Sequence, residues 1–471
     1  MIHDLKPYPA MKDSGVEWLG DVPVHWDLVP NRALMRLRKE VVGDRSDDYI
    51  LLSLTKQGII ARDMENPEGK FPASFDTYQV VEPGDLIFCL FDIDETPRTV
   101  GLSGLSGMIT GAYTRFVCPD VSVRRFIYLL YLSLDNGKLL KPLYSGLRKV
   151  IQKSTFLSAK VALPPFPEQA AIVRYLDYVD RRIRRYIQAK QKLIVLLEEQ
   201  KETIIHRAVT RGLDPDVPFK DSGVEWLGEV PEHWEVVKLR HFAKIGNGST
   251  PSRSRTDYWS SGHHAWLNSS VVNRVRVDEA DQFVTDVALK ECHLPRLVPG
   301  DVLIAITGQG KTRGRSTVLA IEATINQHLA YVRLRISRML PEYLQLVFTG
   351  AYAHLRSISD DSGSTKGALT CADIRHFKVP LPPPVEQHDI LDWVQQENEA
   401  SDLTINRARR EIELLREYRT RLIADVVTGK LDVREAAAGL PDEPQEPEAL
   451  HETDALGDAD EETEIVENLE G

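Results

Sequence analysis

The apolar run Asp301-Val302-Leu303-Ile304-Ala305-Ile306 leads into Gly308-Gln309-Gly310-Lys311-Thr312. That order of residues would let backbone amides and a lysine wrap the phosphates of a nucleotide. The pattern also requires a glycine five residues before Gly310, where Ala305 stands, and Arg313-Gly314-Arg315 then runs into another strand-like stretch, not a helix. The segment therefore reads as a basic, glycine-loosened loop suited to a phosphodiester backbone. His263-His264 and His293 make no metal-ligand spacing with a cysteine or carboxylate along the chain, and Glu68-Gly69-Lys70 lacks the upstream partner of a nuclease pattern and reads as a turn. No Ser/His/Asp arrangement announces itself, and neither Asn-Pro-Pro-Tyr nor Asp-Pro-Pro-Tyr of amino-methyltransferases occurs. The expectation is a protein that is not an enzyme, with no cofactor and no metal of its own.

What remains is recognition chemistry. Arginine and lysine suit guanine edges, asparagine and glutamine suit adenine edges, and small hydroxyls reach phosphate. The candidate DNA-contacting residues in the first half are Lys56, Gln57, Arg98, Tyr113, Arg115, Arg148 and Lys153. In the second half they are Thr250, Ser252, Arg253, Arg255, Asn268, Lys311, Arg313, Arg315, Asn326, Gln327 and Lys366. A solvated polar loop is the other reading of each cluster.

The elements that must position these residues come in duplicate. Lys12-Asp13-Ser14-Gly15-Val16-Glu17-Trp18-Leu19-Gly20 returns as Lys220-Asp221-Ser222-Gly223-Val224-Glu225-Trp226-Leu227-Gly228, and the match runs on from Val22-Pro23 and His25-Trp26 to Val230-Pro231 and His233-Trp234. Leu163-Pro164-Pro165 with Glu168-Gln169 returns as Leu381-Pro382-Pro383 with Glu386-Gln387. The first pair of copies is offset by 208 residues and the second by 218, so the second middle is ten residues longer. The ends of the two repeats match and their middles do not. This suggests a fixed frame carrying two different inserts, each a mixed α/β globule with short strands after the Pro83-Gly84 and Pro299-Gly300 turns and a helix at Phe126 to Leu134 or Pro341 to Phe348. Gly104 to Gly111 reads as loop.

After each Glu-Gln pair comes a proline-free run of about forty residues, roughly 60 Å of helix. Apolar residues recur at spacings of three and four: Val173, Leu176, Ile183, Ile187, Ile194, Leu197, Ile204, Ala208 in one copy, and Leu391, Val394, Ile405, Ala408, Ile412, Leu415, Leu422, Val426 in the other. Such seams predict a two-helix coiled coil in which each helix covers the other's stripe; separate packing on two cores is the alternative.

The net charge is −12, but Pro441 to Gly471 holds thirteen Asp or Glu and no Lys or Arg, which leaves the body close to neutral at +1. The tail reads as disordered. The four scattered cysteines show no paired spacing, no apolar run approaches a membrane span, and the cytosol is the expected compartment.

Together these residues resemble the specificity subunit of type I restriction–modification systems, over nearly the whole chain except the acidic tail. The two Leu-Pro-Pro-x-x-Glu-Gln motifs carry the likeness, with Val427-Thr428-Gly429-Lys430-Leu431 and Val209-Thr210-Arg211-Gly212-Leu213, where Arg211 replaces the usual glycine. Asn247-Gly248-Ser249-Thr250-Pro251, Tyr258-Trp259, Trp266-Leu267-Asn268 and Ala323-Thr324-Ile325-Asn326-Gln327 are similar to a target recognition domain, and Gly84 to Phe88 with Ile109 to Tyr113 resemble another subtype. The resemblance implies an α+β fold with a pseudo-two-fold internal repeat. Its parts are an N-terminal repeat segment (1–25), a first target recognition domain (26–162), a central helix (163–213), a linker (214–233), a second recognition domain (234–380), a C-terminal helix (381–435) antiparallel to the first, and the tail (436–471). It also implies that each domain reads half of an asymmetric double-stranded DNA site, and that two methyltransferase subunits dock, bringing S-adenosylmethionine and flipping the target adenine out of the stack. A motor-nuclease using ATP is an optional further partner. A two-lobed protein–protein adaptor without DNA contact is the competing function.

Overall fold

The computed structural model describes residues 5–62, 74–146, 149–308, 311–360 and 367–441. It contains two compact units, Met1–Gln191 with Arg409–Gly471, and Lys192–Ala408. Each unit takes one part of each long helix.

The repeated segment folds the same way in both units. Met11–Asp13 pairs antiparallel with Asp21–Pro23, as Phe219–Asp221 does with Glu229–Pro231. In the turn between each pair, the aspartate accepts a hydrogen bond from the glycine amide, Gly15 N to Asp13 Oδ1 at 2.8 Å and Gly223 N to Asp221 Oδ1 at 2.9 Å. The chain then enters a two-stranded neck. Asp27–Pro30 pairs with Lys160–Leu163 in the first unit, and Glu235–Lys238 with Lys378–Leu381 in the second. Each middle thus leaves and returns through one ribbon whose two strands lie far apart in sequence.

The first middle is built on a four-stranded antiparallel sheet in the order Arg36–Leu37, Thr114–Val117, Leu86–Phe88, Val100–Leu102. Phe88, Phe116, Tyr131 and Phe156 pack edge-on or tilted in its core, with centroids 4.8–5.6 Å apart. The expected helix is present and longer, Val121–Asn136. The Gly104 to Gly111 stretch, expected as loop, contains the strand Gly107–Ile109 paired with Gln79–Val81. Gly107 is needed there because a Cβ would come within 2.5 Å of the Ile50 carbonyl oxygen. The second middle has a five-stranded sheet, Ala243–Asn247, Leu329–Leu334, Val302–Ala305, Ser316–Leu319, Arg276–Val277, and a three-stranded one centred on His264–Leu267. The helix expected there runs Pro341–Gly350.

The long helices are Phe166–Arg211 and Pro384–Val427. Ile172, Leu176, Val179, Ile183 and Ile187 are buried along the first and Ile412, Leu422 and Val426 along the second, within the first unit. Within the first unit the pairing is antiparallel. In the first, Asp180 pairs with Arg419, and Lys190 with Glu411 at 2.7 Å; in the second, Lys201 pairs with Asp402. Ile194, Leu197 and Ile204 are only half-buried. Both helices end on a left-handed glycine, Gly212 at φ +68° and Gly429 at φ +76°. Arg211 therefore costs the first helix nothing, because it remains helical and the cap moves one residue on.

The start of each long helix is clamped to the repeated segment. Glu168 Oε1 accepts from Trp26 Nε1 at 2.8 Å and from the Tyr8 hydroxyl at 2.6 Å, and its Oε2 lies 2.8 Å from His25 Nε2. Glu386 repeats this with Trp234 Nε1 at 2.9 Å and His233 Nε2 at 2.9 Å. Gln169 and Gln387 donate to the carbonyls of Pro164 and Pro382. Glu168 is 5% exposed and Glu386 26%. Glu168→Ala leaves three donors without their acceptor and should cost about 3 kcal/mol, against about 1 kcal/mol for Glu386→Ala; unfolding midpoints in urea of the two variants check the order. Burial and the neighbouring carboxylate raise the Tyr8 phenol above its ordinary value. Its contribution is complete below about pH 10 and is lost as pH rises further, while the unfolded chain ionises and the folded one does not. Tyr8→Phe should flatten that alkaline fall in melting temperature.

Candidate nucleic-acid interface

In the first unit, Lys56 and Gln57 form the exposed turn between Leu52–Thr55 and Gly58–Ala61. Arg98 holds this turn from below: its Nη2 donates to the Lys56 carbonyl at 3.2 Å, and its Nη1 donates to Asn136 at 2.8 Å and lies 3.4 Å from Asp135. Arg98 thus positions the turn and is itself largely covered. Tyr113 is half-buried and stacks on Phe91 with centroids 6.1 Å apart, and burial pushes its phenol up. Lys153 is exposed at the start of the helix Lys153–Ser158. Arg148 lies outside the described residues.

Arg115 is a correction. It is 1% exposed, with Nε 2.6 Å from Asp85 Oδ2 and Nη1 donating to the Val80 carbonyl at 2.7 Å. A guanidinium enclosed in this way cannot reach a base edge. Asp85 also accepts from the Glu82 amide at 2.7 Å. The second unit has the counterpart: Asp301 accepts from the Val298 amide at 3.0 Å and from Arg333 Nη2 at 2.6 Å. Each aspartate follows a Pro-Gly turn and holds an arginine of the neighbouring strand. The Pro-Gly-Asp repetition was the signal in the sequence for a structural pair.

In the second unit several candidates do come together. Thr250 Oγ1 donates to Gln327 Oε1 at 2.7 Å, Gln327 Nε2 lies 3.0 Å from His328 Nε2, and His328 Nδ1 lies 2.5 Å from Thr307 Oγ1. This polar row crosses the surface towards the loop that carries Lys311, which is exposed. Arg253 lies over the Trp259 ring, 3.8 Å from its centroid, and its Nη2 donates to Gln282 Oε1 at 2.6 Å. The cation is preorganised on an aromatic platform. Ser252 supplies the carbonyl that accepts from Trp259 Nε1 at 3.1 Å. Thr307 and Gln282 were not among the candidate residues and are brought here by the fold, whereas His328 follows Gln327 in the chain and Trp259 and Trp266 belong to the motifs similar to a target recognition domain.

Other candidates are committed elsewhere. Arg313 and Asn326 are 6% and 4% exposed. Arg313 donates to the Gly367 carbonyl, and Asn326 Oδ1 accepts from the His328 amide at 3.0 Å. Both shape the loops from inside, which corrects their placement as contact residues. Arg255 is paired with Asp257 and with Glu291 at 2.8 Å, so its charge is already answered within the loop. Asn268 caps the turn Ser269–Asn273 through Ser270 N at 3.0 Å. Arg315 is exposed and donates to Asn273 Oδ1 at 3.1 Å. Lys366, like Gln309, Gly310 and Glu68-Gly69-Lys70, lies outside the described residues. Val302 pairs antiparallel with Val318 across the Gly308 loop, so the loop joins two strands and lacks the helix that a phosphate-binding loop needs.

A family model for the type I restriction modification DNA specificity domain matches residues 118–194 and 231–414, more than half of the chain. The chain belongs to that family. It is 23% identical over 206 residues to the type I restriction enzyme EcoR124I/EcoR124II specificity subunit of Escherichia coli, covering 43% of this chain and 47% of that one. It is 23% identical over 288 residues to the MjaVIII specificity subunit of Methanocaldococcus jannaschii, covering 60% of this chain and 65% of that one. The chain thus spans about half the length of the first relative and just under two thirds of the second. A chain from a solved type I R-M system shares the fold, with a TM-score of 0.59 at 16% identity, covering 87% of this chain and 99% of that one.

Arg115→Met breaks the enclosed ion pair and leaves Asp85 unanswered, so the first unit should lose roughly 3 kcal/mol. Denaturant unfolding measures this, and Arg315→Met, on the exposed surface, should leave the midpoint almost unchanged.

Proposed function

We propose that this chain is the DNA-addressing subunit of a type I restriction–modification complex. Each middle reads one half of a split, asymmetric double-stranded site, and the paired helices set the gap. One observation carries the reading: two like clamps, Trp26/His25 on Glu168 and Trp234/His233 on Glu386, hold two unlike sheets by the same kind of neck. Unlike inserts on a like frame are what an asymmetric address requires. The polar row from Thr250 to Thr307, with Arg253 on its aromatic platform, supplies the donors and acceptors that base edges and phosphates need.

Two methyltransferase subunits dock on the frame and bring S-adenosylmethionine, and a motor-nuclease that uses ATP is an optional further partner. The chain itself contributes position and no chemistry. The compartment is the cytoplasm, where the DNA lies; no helix among the described residues is long and apolar enough to cross a membrane.

Exchanging residues 30–160 for the corresponding part of another family member should alter one half of the methylated motif and leave the other unchanged, as read by sequencing modified bases. Change in both halves, or in neither, contradicts the assignment. In the complex with its methyltransferase, Arg253→Ala should weaken DNA binding by about tenfold and relax one base position. Lys311→Ala should weaken binding to all sequences and reduce the salt slope by about 1. Unchanged isotherms for both variants would remove this surface from the interface. A complex that shifts no duplex from a random pool would favour the adaptor.

A further inference from the structure

We propose that His263, His264 and Asp286 form a site for a divalent d-block cation of the zinc or nickel class. The chain order hid this group, since the aspartate lies 22 residues beyond His264. Strand pairing closes the distance. His264 stands opposite Val284 in the antiparallel pair of His264–Leu267 with Gln282–Val284, and the His263 amide donates to the Val284 carbonyl at 3.1 Å. Asp286 follows at the start of the helix Asp286–Glu291.

The donor atoms already converge. His264 Nε2 lies 2.9 Å from Asp286 Oδ1, His263 Nε2 lies 3.5 Å from Oδ2, and the three ligand atoms fall within 4.8 Å of one another. A tetrahedral ion with bonds of about 2.0–2.1 Å needs its donors roughly 3.3 Å apart, which small side-chain rotations supply here. Successive strand residues ordinarily face opposite sides. Both imidazoles reach one carboxylate because the strand begins only at His264, after a turn with Ser261 at φ +61° and a glycine at 262 pressed against Phe283. A carboxylate that merely oriented one histidine would not need the second, whose nitrogen at 3.5 Å is beyond a good hydrogen bond.

Two nitrogens and one oxygen favour zinc, nickel or copper over magnesium or calcium, and three protein ligands leave one position for water. The backbone around the site is tied to the recognition loop: Thr285 Oγ1 donates to the Asp257 carbonyl at 2.7 Å, and the Gly262 amide donates to the Trp259 carbonyl at 3.1 Å. A bound ion would fasten the turn before His264 to the start of the Asp286 helix.

The test is direct binding to the full-length, tag-free chain, without DNA. Zinc is titrated in competition with a chromophoric chelator, and cobalt is followed by its visible absorption. One equivalent should bind, with a cobalt spectrum of a four-coordinate nitrogen–oxygen site. Asp286→Asn and the double variant His263→Ala/His264→Ala should each weaken that binding by at least about tenfold. Metal-free variants should keep the parent circular dichroism and melting temperature, since all three side chains are at least one-third exposed. Absence of binding at millimolar zinc, or variants that bind as tightly as the parent, overturns the site.

Discussion

A carboxylate in the first turn of each long helix, gripped by a tryptophan and a histidine from the opposite end of its repeat, is the interaction on which the frame depends. Trp26 and Trp234 are wholly buried, and a buried indole N–H must find an acceptor. Glu168 and Glu386 provide it. Their position at a helix N-terminus also suits negative charge. The two grips differ in burial and in one donor. Glu168 has Tyr8 as a further donor, and Tyr8 lies under Arg434, 5.3 Å from its ring centroid. The Lys6 carbonyl accepts from the Asp432 amide at 2.8 Å. The first unit thus gathers the start of the chain, the start of one long helix and the residues that follow the other. Matching ends and unlike middles follow from this geometry, because the residues of a clamp must change together while those beyond the neck need not.

The frame was legible in the sequence because its signals are local or periodic. The nine-residue repeat, the Pro-Pro-x-x-Glu-Gln motif and the three–four spacing each need only neighbours along the chain. The half-buried Ile194, Leu197 and Ile204 show where periodicity overstates burial: spacing identifies a stripe but not how closely the partner covers it. The candidate contact residues were less legible. Tyr113-Thr114-Arg115 reads as an accessible polar cluster, yet Thr114, Arg115 and Phe116 are all buried in a strand covered on both faces. Whether an arginine reads DNA or answers Asp85 depends on which strands are neighbours, and a single sequence does not contain that pairing. Asn326 and Gln327 make the same point at adjacent positions, one turned inwards to its own loop and the other outwards to Thr250.

An Asp–Arg pair in each sheet, enclosed in the first unit and partly exposed on the arginine side in the second, then explains how two unlike middles can be held alike. A buried ion pair adds little net stability against an apolar substitute, but it tolerates few alternative arrangements, so its use here is better understood as fixing register. A strand that slips by one residue turns every side chain to the wrong face. Asp85 and Asp301 each stand just before a central strand, Leu86–Phe88 and Val302–Ala305, and each holds an arginine from the strand beside it. With register secured from inside, the loops at the strand ends are free to vary in length and composition without unsettling the sheet. The Thr250–Gln327–His328–Thr307 row and the Lys56–Gln57 turn occupy such loops. The surface side chains of the two units can therefore differ while an aspartate–arginine pair holds the strands of each sheet.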